Sequence, residues 1–249
     1  MLCPNLFKAS TGYGLQGAFA EYLLIPNAIN GVSFLPIPDE LDIYTAATIE
    51  PVSVAALTVS QCEPKKGDQV VVMGAGLIGN AVMQVFKAYD VGKVVVTEVS
   101  DMRLKSAKAL GADEVIHAVK ENVLQRVKEI VGVGAYHFNE GAMADIVVDA
   151  AGAPSAVEQS FELVRSAGTI AFVGLPEKTA ALDTTKIVHK APKILGCLGG
   201  DFAKSIELLK ENKVKTKELI SHVYSIDHAK EAFEMQMRPH DSVKVMIEF

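Results

Sequence analysis

The run from Val70 to Val82, VVVMGAGLIGNAV, limits what this chain can fold into more than any other stretch. Four apolar residues end in glycines at Gly74, Gly76 and Gly79, after which apolar residues recur at helical spacing. It reads as a strand, a tight turn and the start of a helix. The three glycines do different things: the first lets the chain turn sharply, the second lets a pyrophosphate approach the backbone, and the third lets helix pack against strand. Leu77 and Ile78 lie in the first helical turn, whose N–H groups lack intrahelical partners and suit a phosphate. The bare glycine spacing is a weak signal, and its context strengthens it. A strand precedes it, an amphipathic helix follows, and Glu98 closes the next apolar run nineteen residues after Gly79. The alternative is a glycine-rich turn that holds nothing.

Alternation continues downstream. Residues 93–98 read as a second strand, 101–110 as a helix stopped by Gly111, 114–117 as a third strand and 122–131 as a helix. A loop through Gly132, Gly134 and Gly141 follows. Residues 144–150, 168–173 and Ile194 to Leu198 supply strands four to six, with a helix over 154–165. Such alternation predicts an α/β fold, a Rossmann-type doubly wound parallel sheet of six strands with its ligand off the strand C-termini. Ile194 to Leu198 reads as an edge open to a second subunit, making a homo-oligomer the expectation.

The flanks read differently. In residues 1–40, two apolar runs at 18–25 and 32–37 sit among glycines and prolines, which predicts short strands joined by turns. Residues 41–62 turn helical, and Pro51 predicts two consecutive helices with the proline near the start of the second. Glu50 then falls at the junction in a segment apolar enough to bury it, where it needs a cation, a metal or hydrogen-bond donors. The last fifty residues read as helices at 203–212 and 227–237, a short strand near Val223 and a final strand over 243–249.

At the end of the second strand, Glu98 is placed to accept from both adenosine ribose hydroxyls and to repel the extra phosphate of NADP, so it favours NAD. Arg103, five residues on, either reaches the same ribose or is a solvated helix charge. Ala151 and Gly152 in DAAG, with Val173 and Gly174 in FVGLP, put small residues where the nicotinamide half would lie. The formal charge of −6, without long charged runs, gives no electrostatic case for nucleic acid or an anionic membrane, and no run approaches the ~20 apolar residues of a membrane span. Three widely spaced cysteines without a C-x-x-C pair fit a reducing, cytoplasmic compartment. Small-molecule partners are expected.

Together VVVMGAGLIGNAV, LKSAKALGADEVI, IVVDAAG, GTIAFVGLP and VKVMIEF resemble the zinc-type medium-chain dehydrogenase/reductase family. AATIEPVSVAALTV is similar to the sorbitol, threonine and polyol dehydrogenase branch, in which a Glu-Pro lies at the catalytic zinc. CPNLFKASTGYGLQGAFAEYLLIP resembles the end of the family's structural-zinc lobe and the next strand of its GroES-like catalytic domain. The resemblance implies a partial GroES-like, β-rich domain made from both chain ends. It divides the chain into a remnant of that domain with linking helices at 1–62, an NAD-binding domain at 63–199 and a returning segment at 200–249. It also implies hydride transfer between NAD and a secondary alcohol or polyol, and sets Lys244 at the cofactor pyrophosphate. Otherwise Lys244 is a solvent-facing residue of an alternating strand.

The departures are as informative. The family's other catalytic ligands and three lobe cysteines have no counterpart here, leaving Cys3 at the lobe and Glu50 as an incomplete metal position. His117, His137, His189, His222, His228 and His240 form no metal-binding spacing and read as surface or loop residues. The expectation is an N-terminally shortened member holding less zinc than the family does. Three readings stay open: a polyol or secondary-alcohol dehydrogenase by descent with impaired turnover, a zinc-independent reductase of the superfamily, or a non-catalytic NAD-binding or oligomerisation module.

Overall fold

The computed structural model describes residues 4–176 and 178–249, so Cys3 lies outside the described residues. After one helical turn, α1 (Leu6–Ala9), come α2 (Ile43–Ala46), α3 (Ile49–Cys62), β1 (Val70–Met73), α4 (Leu77–Ala88), β2 (Val94–Glu98), α5 (Asp101–Ala109), β3 (Glu114–His117) and α6 (Val123–Val131). The chain continues through β4 (Val133–Tyr136), β5 (Asn139–Ala142), β6 (Ala144–Asp149), α7 (Pro154–Leu163), β7 (Val164–Phe172), α8 (Thr184–Lys190) and β8 (Lys193–Gly196). It ends with α9 (Phe202–Lys210), β9 (Ile220–Ser225), α10 (Ala229–Gln236) and β10 (Lys244–Glu248).

Six strands form one parallel sheet in the order β3-β2-β1-β6-β7-β8. Strand order reverses between β1 and β6, which opens a crevice at their C-terminal ends. The valine runs are continuous because both faces of the sheet are covered. Val70, Val72, Val94, Val96, Ile146 and Val148 pack with α3, α4 and α9, whereas Val71, Val95, Val147 and Ile170 pack with α6 and α7. Each fully buried valine of this kind stabilises the fold by about 1.5–3 kcal/mol before entropy is counted.

Local chemistry sets the helix starts. Ser100 accepts from the Arg103 amide, Asn122 from the Gln125 amide and Asp201 from the Lys204 amide, each satisfying one orphan donor. The predicted break at Pro51 is present: α2 ends at Ala46, and Pro51 is the third residue of α3, where its missing N–H costs no helical bond.

Several expectations are corrected. The runs 18–25 and 32–37 are not strands. Among the described residues, 1–40 contains only α1 and the isolated bridges Thr11–Leu15 and Asn30–Phe34, because no neighbouring strand lies alongside to pair with. Tyr22 and Leu24 are accordingly 90% and 85% exposed. The glycine-containing stretch after α6 is a hairpin rather than a loop. β4 and β5 pair antiparallel around the two-residue turn His137-Phe138, with His137 at φ 51°. The helix α8 is an element that the sequence pattern does not announce. Its last residue, Lys190, is buried beneath the end of α7 and donates to the carbonyls of Phe161 (2.8 Å), Glu162 (3.0 Å) and Val164 (2.8 Å). Burial pushes its ammonium down to about 8, with the Glu162 carboxylate opposing, while three carbonyls match its three donors. His117 is not a loop residue: it ends β3, and its Nδ1 accepts from the amides of Val119 and Lys120.

At the C-terminal end, β9 and β10 form a parallel two-stranded ribbon with α10 against it. Two long-range polar bridges attach this end of the chain to the helices over the sheet. The Gln84 side chain in α4 both accepts from the Lys215 amide (2.8 Å) and donates to its carbonyl (3.1 Å), and the Thr48 and Thr216 hydroxyls meet at 2.6 Å. No helix among the described residues is long and apolar enough to cross a membrane.

Candidate cofactor cleft

β1 ends at Met73, and the turn is built by exclusion. Gly74 has φ 98°, and a Cβ there would lie 2.9 Å from the Ala151 nitrogen. At Gly79 it would lie 2.0 Å from the Gly74 carbonyl oxygen, so no side chain is accommodated. Gly76 is different: its φ is ordinary at −67°, and the nearest atom to a Cβ would be an Arg103 Nη at 3.9 Å. The glycine there leaves open space rather than relieving strain. It is also the N-cap of α4, with no side chain capping the first turn, so the helix presents its amides to that space.

Glu98 closes β2 with only 7% of its surface exposed. Its carboxylate accepts from the Ala75 amide (2.9 Å) through Oε2 and from Val99 (2.6 Å) and Ser100 (3.1 Å) through Oε1. A carboxylate has about four acceptor positions, and three are taken by the backbone. The expectation of a carboxylate free for both ribose hydroxyls is revised: Glu98 first of all ties the glycine turn to the end of β2. Arg103, in the first turn of α5, is half-buried, and its Nε donates to the Ser242 carbonyl at 2.9 Å. Burial lowers its pKa, and the Glu98 charge opposes the shift. Thus it is not a solvated charge; it joins the start of α5 to the segment before β10.

Two openings flank this arginine. One, about 650 Å³, is lined by Phe19, Glu50, Leu77, Ile78, Phe233 and Lys244; the other, about 380 Å³, by Gly74, Glu98, Val119, Ala151, Ser155 and Gln159. Gly76, Arg103 and Ala150 border both, so the pair forms one cleft over the reversal between β1 and β6. Each opening falls in the size range of small-molecule sites. Phe19 and Phe233, with ring centroids 5.5 Å apart, form an aromatic wall of the larger opening. Phe19 lies within the stretch that resembles the structural-zinc lobe and the next strand, where nothing marks it as a cleft residue, and Phe233 lies in no such stretch.

Of the residues singled out in the sequence, Gly152, Val173 and Gly174 line neither opening. They join the ends of β6 and β7 instead: the Asp149 carbonyl accepts from Val173 (3.0 Å) and Gly174 (2.9 Å), and a Cβ on Gly174 would meet the Gly152 nitrogen at 2.4 Å. Asp149 itself is fully buried. Its Oδ1 accepts from the amides of Ala151 and Gly152, both at 3.0 Å, and its Oδ2 has no partner among the described residues. Burial raises its pKa against those two hydrogen bonds.

Glu50 is exposed, correcting the expectation of a buried carboxylate. In the first turn of α3 it faces the larger opening, so solvent replaces the partners that burial would demand. Zinc needs three or four protein ligands, and no group of three His, Cys, Asp or Glu among the described residues is arranged to hold a metal ion. By themselves, the described residues do not fit zinc.

The family model described as Zinc-binding dehydrogenase matches residues 78–212, more than half of the chain. Among curated relatives, the chain is 30% identical over 250 residues to the sorbitol dehydrogenase of Bacillus subtilis, covering 99% of this chain and 67% of the relative. It is 29% identical over 235 residues to the L-threonine 3-dehydrogenase of Chromobacterium violaceum, covering 92% and 65%. The chain therefore spans about two thirds of the length of these relatives. A crystal structure of an alcohol dehydrogenase from Escherichia coli CFT073, complexed with NADH, superposes with a TM-score of 0.84 at 27% identity, over 97% of this chain and 68% of that one. A dehydrogenase from Sinorhizobium meliloti bound to NADP shares the fold, with a TM-score of 0.82 at 22% identity over 99% and 73%. With the family model matching more than half of the chain and a relative 30% identical over two thirds of its own length, the chain belongs to the zinc-binding dehydrogenase family.

Proposed function

We propose that this chain binds NAD(H) along the cleft between the two openings and serves hydride transfer between the nicotinamide and a secondary alcohol or polyol. The observation that carries the reading is the uncapped start of α4 at Gly76, opening onto a cleft bordered by Arg103 and Lys244. The helix amides and these two cations supply favourable partners for a pyrophosphate. Gly74, Leu77, Ile78 and Ala151 border the cleft, whereas Gly79, Gly152, Val173 and Gly174 shape the backbone beneath. Glu98 keeps about one acceptor position for a ribose hydroxyl, and its negative charge disfavours a phosphate there, which supports NAD over NADP.

When bound, the nicotinamide accepts or donates the hydride. The protein's own contribution is orientation. The helix start and the cations hold the phosphates, and Phe19 and Phe233 make an apolar wall for the larger opening. Isothermal titration tests this: NADH should bind at least about tenfold more tightly than NADPH, a difference of about 1.4 kcal/mol. Equal or tighter NADPH binding overturns the preference.

One observation favours a second reading, an NAD-binding module without turnover: Glu50 is the sole carboxylate bordering the larger opening and has no accompanying ligand set among the described residues. The two readings separate on NADH formation from sorbitol, threonine and 2,3-butanediol, measured with and without zinc, beside elemental analysis. The second reading predicts NADH binding, less than one tightly held zinc per chain and no turnover. The unpaired edge of β8, where Ile194 is exposed, supports pairing with a second copy. Cys62 and Cys197 are free thiols, and burial pushes Cys62 up to about 12; two unreactive thiols suit a reducing cytoplasm.

A further inference from the structure

The ribbon at the C-terminal end carries a single irregularity, beside Lys244. Lys244 pairs with Ile220 while Val245 pairs with His222, so β9 contains one extra residue, Ser221, with no partner across the ladder. Such a bulge bends a strand and re-aims the side chain next to it. Here the side chain of the extra residue replaces the missing backbone connections. The Ser221 hydroxyl accepts from the Val243 amide at 3.1 Å and donates to the Lys244 carbonyl at 3.1 Å. His222 Nδ1 also stands 3.1 Å from the Ser221 hydroxyl oxygen.

These bonds pin the backbone on both sides of the Lys244 side chain. A second support comes from α10, where Gln236 accepts from the Val245 amide at 2.8 Å. Lys244 borders the larger opening together with Gly76, Leu77 and Ile78, and its ammonium makes no ion pair among the described residues. Ser221 borders neither opening. We propose that Ser221 is a positioning residue: through the bulge, its hydroxyl holds Lys244 in the direction of the cofactor phosphates. The proposal rests on the NAD(H) reading of the cleft for its ligand, whereas the bulge and its hydroxyl are judged independently.

Two measurements test it. In NADH titrations of the whole chain, S221A should weaken binding by about three- to tenfold, the scale of one well-placed hydrogen bond transmitted to a charged contact. K244A should weaken it at least as much, and S221A added to K244A should cost nothing further, because two residues acting through one contact are not additive. S221T, which keeps a hydroxyl in a strand-compatible side chain, should restore most of the affinity. Separately, amide exchange at Val243 should accelerate in S221A and return toward the original rate in S221T, with or without cofactor. An S221A protein that binds NADH as the parent does overturns the proposal, as does a loss fully additive with K244A. Failure of the parent chain to bind NADH removes the NAD(H) reading, and unchanged Val243 exchange in S221A then separately removes the role of the hydroxyl.

Discussion

Residues 70–73 and residues 18–37 are alike as sequences, both rich in apolar residues of strand-forming type, and they end in opposite states. Val70 to Met73 lie between two parallel neighbours and are buried throughout. Tyr22, Leu24, Ile29 and Val32 are more than half exposed, with no ladder beside them. Strand propensity describes how a residue fits a pleated, half-buried surface, and that surface has to be supplied by neighbours. The same contrast separates two kinds of cleft wall. The side made by β1, β2 and α4 is held by backbone geometry, whereas Phe19 on the opposite side is 69% exposed and meets the Phe233 ring.

Substitutions should expose this difference, most strongly at the turn. Gly79→Ala places a Cβ against the Gly74 carbonyl, so a loss of several kcal/mol is expected, of the order of ~4 kcal/mol reserved for severe overpacking, together with loss of NADH binding. Denaturant unfolding and titration of the same sample check both. A stable, NADH-binding variant would show that the turn is softer than its contacts imply.

Glu98→Ala removes the acceptor of three amides. NADH binding should weaken by about 1–3 kcal/mol, the scale for leaving buried donors unpaired, with some loss of thermal stability as well. An unchanged affinity would remove Glu98 from the cofactor site.

Asp149→Asn has a smaller effect that depends on pH. Because burial raises the Asp149 pKa, its stabilising contribution is present below the ordinary carboxyl value of about 3.9 and is lost as pH rises through the folded value. The parent protein should therefore lose stability relative to the asparagine variant as pH climbs from about 3.9 to the folded value and level off above it, read from melting temperatures across a pH series. A constant offset between the two proteins would mean that Oδ2 finds a partner that favours its charged form.

The smallest effect is expected in the exposed N-terminal stretch. Leu24→Ser, at a position 85% exposed, should change stability by less than about 0.5 kcal/mol, as surface substitutions do. A larger loss in denaturant unfolding would mean that residues 18–37 are packed against something in solution.

Much of this molecule was legible in its sequence for local reasons. The strand, turn and helix at Val70 to Val82, the helix break at Pro51 and the stop of α5 before Gly111 depend on residues within about one turn of each other, where glycine and proline act directly on the backbone. Alternating strands and helices then limit the topology to a few right-handed arrangements, so a doubly wound parallel sheet of six strands was legible too. The tertiary structure alone decided the rest. Whether Glu50 is buried depends on what covers α3, and whether residues 18–37 become strands depends on partners that no local pattern specifies. The three amides on Glu98 come from the turn after β1 as well as from its own loop, Arg103 reaches Ser242 across 139 positions, and Ser221 meets Lys244 across 23. These contacts exist because the folded chain brings distant segments within hydrogen-bond distance, and no spacing rule along the sequence encodes that proximity.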